Sequence, residues 1–555
     1  MKAVSDEEKE WVRVARALMS TQEAPGWREC VRHVMPELLG AGDLEGLPDD
    51  GLPQAVCERA VTGVLKLASA HSVMITPRGL NWFSYDAGDE GGEERSDDEK
   101  DWFTRVSQIT QAELEHSNFY AEGLSAIIDR IATGTGLLLT EADERSRGLV
   151  FTHVPMGTFR LAENRWHEVD TVCRVFKFTA HQAEMAFGAA ALDEDMRAAL
   201  RDSDRRFKSE FEIWHLTVPS RRAGRGNGRD AKNPRAMMWA SVYIAVGSEE
   251  ILKVDGYEEF PYMATRFLKY GNQVYGRSAL RGVKEVIGRY LEVEAAMAEG
   301  AKAAVYPRLL STPDMVGRID LRAGGVTVLS KQAVNGGLPR EWAAAGRYDA
   351  GVALLQRYDD AIDNALFVNQ LQSVSNVERQ MSATEARLRE NEKLMTFSQT
   401  FTQFACDFRP LMARVFCILW RWGKFPAVGE PRDIFEPVGP DNRGVKVLAP
   451  GVKYLGRLSK ALESAKQEGL QEALLFGLQL AEATGDEAWM DYFKPYECMK
   501  FITDESNVDV GCLRSSQEAK GMRKSREDAA QAQMQLEAAK QLTAMEAASA
   551  QAAAK

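Results

Sequence analysis

Residues 275–306, YGRSALRGVKEVIGRYLEVEAAMAEGAKAAVY, decide how this chain is organised. Leu280, Val283, Ile287, Leu291, Ala298, Ala301 and Val305 recur at the spacing of one helix face. A helix from Gly276 to Tyr306 would run roughly 46 Å at about 1.5 Å per residue. Gly282, Gly288 and Gly300 each cost it about 1 kcal/mol against alanine, so it must lean on neighbours. Pro307 ends it, because the residue before a proline avoids the α region. A second helix reads between Trp342 and Val368, striped by Val352, Leu355, Tyr358, Ile362 and Leu366. Its other face shows Gln356, Asp359, Asp363 and Asn364. Between the two, Val316, Ile319, Leu321, Val326 and Val328 flank the turn Ala323-Gly324-Gly325, which predicts a small hairpin. Two helices leading to a β tip and back bury little apolar surface in one copy. Copies packed side by side around an axis would bury the rest.

A third, very long helix starts after NQLQSVSNVERQ (369–380), where Ser382 and Glu385 fit a capping box. Leu388, Met395, Phe401, Phe404, Phe408, Leu411, Val415 and Leu419 follow at helical spacing. Pro410 lies inside this run and should kink or break it.

The string NVERQMSATEARLRENEKLM, the apolar helix after it and YGRSALRGVKEV are similar to the podovirus-type phage portal proteins. Upstream, SNFYAEGLSAIIDRIATGTGLLLTE and FTHVPMGTFRLAENRWHEVDTVCRVFKFTAHQAEMAFG resemble the same family, and the likeness runs in order from about Trp82 to Cys512. The resemblance implies an α+β, mainly helical portal fold in a ring, dodecameric in the family. It places a wing over residues 1–275, stem helices over 276–306 and 341–368, and a β-containing clip over 307–340. A tunnel loop would occupy 369–380 and a long wing helix 381–425. Crown helices (426–512) and a helical tail or barrel (513–555) would complete the chain. It also implies a place at one capsid vertex of the virion, after assembly in the host cytoplasm. Double-stranded DNA would pass through the ring during packaging and ejection. The terminase large subunit, then tail adaptor or nozzle proteins, would dock on it, with major capsid and scaffolding proteins around it.

By the same resemblance Asn369, Gln370, Gln372, Ser373, Ser375, Asn376 and Arg379 are tunnel-loop residues facing DNA; without it, the stretch reads equally as an interhelix turn. Neutral amides and hydroxyls can touch a sliding phosphate backbone without trapping it. On the stem, Lys284, Arg289, Lys302, Arg347 and Arg357 either ring the bore or pair with a neighbouring subunit's carboxylates. On the clip, Asp314, Arg318, Asp320 and Arg322 suit a polar, exchangeable partner contact rather than an obligate apolar one.

The rest of the chain fits this frame. Residues 1 to about 70 read as two or three amphipathic helices, and Trp102 to about Ala132 is helical. Gly134-Thr135-Gly136 follows a helix instead of preceding one, so it reads as a helix stop and not a phosphate cradle. Residues 149–270 are strand-rich, with two short helices, and predict an antiparallel α+β lobe. Within it, SRRAGRGNGRDAKNPRA (220–236) is a basic hairpin tip, with phosphate grip as the other reading. SYDAGDEGGEERSDDEKDW (84–102) lacks EF-hand spacing and reads as a solvated acidic loop. After a proline-punctuated linker from Lys424, residues from Lys446 onward read as helices, ending in a tail rich in Ala, Gln, Glu, Lys and Met.

A net charge of −12 over 555 residues is unusual for a protein that grips DNA and compatible with one that lets it slide. The N-terminus has no apolar signal core and no run is long enough to span a bilayer, so neither secretion nor a membrane is expected. Seven scattered cysteines form no Cys-x-x-Cys pair and read as reduced thiols. No phosphate loop, nucleophile elbow or His-Glu-x-x-His motif occurs, so no enzyme, cofactor or metal is expected. The alternative is another virion structural or ejection protein forming an elongated helical assembly.

Overall fold

The strand-rich lobe shows how sequence periodicity becomes structure here. A computed structural model of the chain describes residues 6–21, 26–39, 55–86, 97–143, 145–220, 237–305, 308–310, 340–342, 348–369, 403, 406–431, 434–438, 444–447 and 449–455. Beyond these it describes 470, 473–479, 498, 521–522, 524–526, 531 and 533. The chain divides into two units, 1–90 with 102–458, and 91–101 with 459–555. In the second unit the longest described run past Asp101 is the helical stretch 473–479.

The first unit opens with helices α1 (Asp6–Met19), α2 (Trp27–Val31) and α3 (Glu58–Ile75), then strand β1 (Phe83–Asp86). The helical stretch expected from Trp102 to Ala132 is two helices, α4 (Asp97–His116) and α5 (Phe119–Ala132), parted at Ser117-Asn118. Gly134 takes φ +100° and turns the chain into β2 (Thr135–Asp143), the expected helix stop. Strands β3 (Gly148–Val154), β4 (Phe159–Glu163) and β5 (Val169–Thr179) follow. Helices α6 (Ala180–Phe187), α7 (Glu194–Arg201) and α8 (Arg205–Lys208) precede β6 (Glu210–Pro219), β7 (Trp239–Ala245), β8 (Ile251–Tyr257) and β9 (Tyr262–Arg266).

These strands form two antiparallel sheets, β3-β2-β9 and β4-β5-β6-β7-β8. Alternation sorts the larger one by face. Cys173, Leu216, Ala240, Val242 and Ile244 pack under Trp11 and Ala15 of α1. His215 links the two sheets from within. Its ring stacks on its cross-strand partner Tyr243 at 4.2 Å. Its Nδ1 accepts from Arg174 Nε and from the Tyr262 hydroxyl of β9 (both 3.1 Å), and its Nε2 lies 2.9 Å from Ser241 Oγ. Burial, then the Arg174 charge, drives its pKa well below the ordinary histidine value, so the ring is neutral.

A helix over residues 406–421, α11, runs through the core. Phe408, Leu411, Val415 and Leu419 of the expected stripe are buried, and so are Met412, Phe416, Cys417 and Ile418. From Leu411 to Leu419 every residue but Arg414 is apolar, and a stretch apolar on all sides must be enclosed. Trp82 and Phe119 close on Phe408, while Tyr85 and Trp102 close on Phe416. Arg414 Nε donates to Thr140 O (2.8 Å), and Asp407 Oδ2 accepts from Arg266 N (2.9 Å). Helix continues from 406 to 421 through Pro410, so the expected break does not occur there. The capping-box residues Ser382 and Glu385 lie outside the described residues.

A second correction concerns residues after Val438. The stretch from Lys446, expected to be helical, contributes strands: β12 (Phe435–Val438) pairs with β13 (Gly444–Val447), and β14 (Gly451–Tyr454) pairs with β1. Gly444, Pro450 and Gly451 cut the run into pieces too short for helix. The ladder partner of β14, Phe83–Asp86, lies more than 360 residues away in sequence, where no local reading finds it.

Candidate functional site

The candidate site is the helix pair, its junction with the body, and the segments at its two ends. The junction is Tyr275 to Gly282, and contacts fix its residue types. The Tyr275 hydroxyl accepts from Leu161 N at 3.2 Å. A Cβ on Gly276 would collide with the Gly134 carbonyl, and one on Gly134 would lie 2.7 Å from Ser278 N. Two backbones cross where only glycine fits. Gly276 N donates to Thr135 Oγ1 (2.9 Å) and Arg277 N to Leu268 O (2.8 Å). The Ser278 hydroxyl binds the Ala132 carbonyl at the end of α5 (2.6 Å) and accepts from Leu280 N (2.9 Å). A 3-10 turn over Ala279–Gly282 results, and the first long helix, α9 (Lys284–Val305), begins only after it. The helix expected from Gly276 is therefore eight residues shorter at its start, because the junction spends those residues on backbone contacts. Its 22 residues reach roughly 33 Å.

The second helix, α10 (Tyr348–Ala365), packs against α9, α3 and the 3-10 turn. At its base Ile362, Leu366 and Val368 are buried, and so are Val283, just before α9, and Ile287 and Leu291 within it. An added Cβ on Gly63 of α3 would lie 2.5 Å from Leu366 Cδ1, so that glycine permits the close approach. Arg59 of α3 grips Asp363 with two bonds, Nε to Oδ1 at 2.8 Å and Nη2 to Oδ2. The Asp363 side chain is 4% exposed and that of Arg59 45%. Asp359 lies 4.0 Å from Arg59 Nε. Burial raises the Asp359 carboxyl above its ordinary value against the pull of Arg59.

Away from this base the burial stops. No described residue of α9 after Leu291, and none of α10 before Ile362, is buried. Val352 and Leu354 are exposed although apolar, and Val352 and Leu355 of the expected stripe, with Tyr358, are not enclosed. The helices still touch, since a Cβ on Gly351 would lie 2.8 Å from Met297 Sδ. Strands β10 (Arg308–Leu310) and β11 (Arg340–Trp342) then pair antiparallel, Arg308 opposite Trp342, and close the excursion between them.

Of the expected stem cations, Lys284 pairs with Glu29 of α2 in the same subunit, which raises its pKa and neutralises its charge locally. Arg289, Lys302 and Arg357 are exposed, with no ion pair among the described residues. The described helix pair carries Lys284, Arg289, Lys302 and Arg357 against eight carboxylates: Glu285, Glu292, Glu294, Glu299, Asp349, Asp359, Asp360 and Asp363. Asn369 stands exposed at the end of the pair, and its amide donates to Asn364 Oδ1 at 3.1 Å. Arg347, Gln370, Gln372, Ser373, Ser375, Asn376 and Arg379 lie outside the described residues, as do Asp314, Arg318, Asp320, Arg322, the 316–328 hairpin and the basic 221–236 loop. Among the described residues no cluster of His, Cys, Asp and Glu could hold a metal ion, and no helix is long and apolar enough to cross a membrane.

A family model described as bacteriophage head to tail connecting protein matches residues 13–513. The chain belongs to this head-to-tail connector family. It is also 24% identical over 443 residues to the portal protein of Salmonella phage epsilon15, covering 78% of this chain and 75% of that protein. The connector's α+β mixture and its paired long helices follow the sequence reading. What that reading missed is how the pair is anchored. Arg59 and Gly63, one helical turn apart on α3, lie some 300 residues from Asp363 and share no motif with it. The one local signal was Gly63 itself, a glycine inside a helix, which costs about 1 kcal/mol unless something must come close.

Proposed function

We propose that this connector forms a ring at one capsid vertex, dodecameric as in the family it resembles, with the α9–α10 pairs around a central passage for double-stranded DNA. The observation that supports this most is the loss of burial along the pair: its base is sealed in the body and its far half is not. Apolar residues such as Val352 and Leu354, left in water, mark surface that a neighbouring copy would cover. A cyclic, heterologous contact closes into a ring. The excess of four carboxylates per described pair (eight minus four) suits a passage that does not bind its cargo tightly, since each phosphate contact adds affinity and salt dependence. Arg289, Lys302, Arg347 and Arg357 are the cations for transient phosphate contact, with Lys284 tied to Glu29. Asn369, Gln370, Gln372, Ser373, Ser375, Asn376 and Arg379 are the loop residues that touch DNA.

The segment between Leu310 and Arg340, with Asp314, Arg318, Asp320 and Arg322, is the docking surface for the terminase large subunit during filling and for tail adaptor or nozzle proteins afterwards. Major capsid and scaffolding proteins would surround the ring during assembly in the host cytoplasm, and the virion would retain it. Native mass measurement and negative-stain imaging of the purified chain test this reading. It expects a closed annulus with a central hole. A monomer at high concentration, or rods without a hole, refutes it.

A further inference from the structure

On the edge of the five-stranded sheet, three large apolar side chains stand in water together with cations. The β4–β5 turn holds Trp166, 64% exposed, under the guanidinium of Arg165 at 4.1 Å. Asn164 Oδ1 fixes the turn by accepting from Trp166 N (2.8 Å) and Glu168 N (3.1 Å). The segment after β9 brings Leu268 (55% exposed) and Tyr270 (64%), with Arg277 over the Tyr270 ring at 4.7 Å. Lys269 ties the two segments, donating to Glu163 Oε1 (2.6 Å) and to His167 O (2.8 Å). Glu163 also pairs with Arg266, so this carboxylate is already spent on two cations, while Glu168 of the same turn is exposed and accepts from the Asn164 amide (3.3 Å). What faces outward is tryptophan, tyrosine and leucine with Arg165 and Arg277 against the one carboxylate of Glu168, a net charge of +1 (two minus one).

Tryptophan, tyrosine and arginine held on a rigid frame are the residue types that dominate protein interfaces. A nucleic acid is the weaker candidate: Arg165 already covers one tryptophan face, and few cations are left for phosphate. The complement lies in the chain's own sequence. Residues 86–101 contain Asp86, Asp89, Glu90, Glu93, Glu94, Asp97, Asp98, Glu99 and Asp101 against Arg95 and Lys100. That is nine minus two, an excess of seven negative charges; the stretch expected to be a solvated loop ends β1 at Asp86 and opens α4 from Asp97.

We infer that the Trp166–Tyr270 patch is a contact between copies of this chain, its occupant the acidic 86–101 segment of the adjacent copy. The inference rests on the ring reading and adds to it a contact in the body of the connector, on the body side of the junction that leads into α9. Steering by opposite charge would favour correct head-to-tail encounter, and the aromatic pair would hold it.

The test is ring assembly, read as the concentration at half-assembly by mass photometry, with circular dichroism confirming the fold of each variant. W166A with Y270A should raise that concentration at least about tenfold, the loss typical of an interface anchor. Arg165→Glu with Arg277→Glu should weaken assembly, and so should Glu90→Lys, Glu93→Lys and Glu94→Lys together. Combining the two charge sets should restore it, which no simple folding defect would do. If the wild-type chain forms rings and all of these variants assemble like it, this inference is overturned and the ring stands. If combining the charge sets gives no recovery, the acidic segment is not the occupant. If the wild-type chain forms no ring, the ring reading itself fails first.

Discussion

Removing Arg59 should loosen the helix pair at its base without unfolding the body. The Asp363 carboxylate is 4% exposed and receives both of its described bonds from Arg59, so Arg59→Ala strands a buried charge. Breaking a fully buried pair from one side costs about 3–5 kcal/mol. Arg59 is 45% exposed, and water can enter beside the truncated side chain, so roughly 2 kcal/mol is the better figure. Two kcal/mol is about a thirtyfold rise in the local opening constant. Hydrogen exchange should report this on the amides of α3 and α10, while the sheet strands β5 to β7 keep their protection. The double variant Arg59→Ala/Asp363→Asn should regain most of the loss, because no uncompensated charge then remains. Unchanged exchange in α10 of Arg59→Ala, or a double variant worse than the single one, would refute the anchoring argument.

Acid should weaken the body through two buried histidines. Burial, then Arg130, pushes His71 down to about 3, and His215 also lies well below its ordinary value. Unfolding lets both rings take up protons below about pH 6.5, so stability falls as pH falls; from pH 6.5 to 5 the two together remove about 3 kcal/mol. Denaturant midpoints at the two pH values should show the drop, and His71→Leu should halve its pH dependence. Gly276→Ala forces a Cβ into the Gly134 carbonyl and against Arg266, both backbone-fixed, and should cost about 3 kcal/mol, seen as a lowered thermal midpoint. Thiol labelling should separate the cysteines: exposed Cys406 reacts in the native protein, while Cys30 and Cys173, pushed up to about 11 and about 12 by burial, react only after unfolding. Rapid native labelling of Cys173 would contradict the packing of α1 on the sheet.

Local pattern alone determined the strands from β2 to β8, two of the three short helices between β5 and β6 (α6 and α7, not α8), and the existence of two long helices before and after a β excursion. Those elements are short-range matters: alternation, helical spacing, and glycine or proline at their ends. It also determined the family, whose likeness is a linear series of residues. Only the tertiary structure decided where α9 starts, because Gly276 and Ser278 answer to Gly134, Thr135 and Ala132. Only it showed the helix passing Pro410 and the β14 strand after Pro450, whose ladder partner is Phe83–Asp86. The anchor of the helix pair was illegible for the same reason. Arg59, Gly63 and Asp363 each look ordinary in their own segment, and their joint effect exists only where α3 and α10 meet.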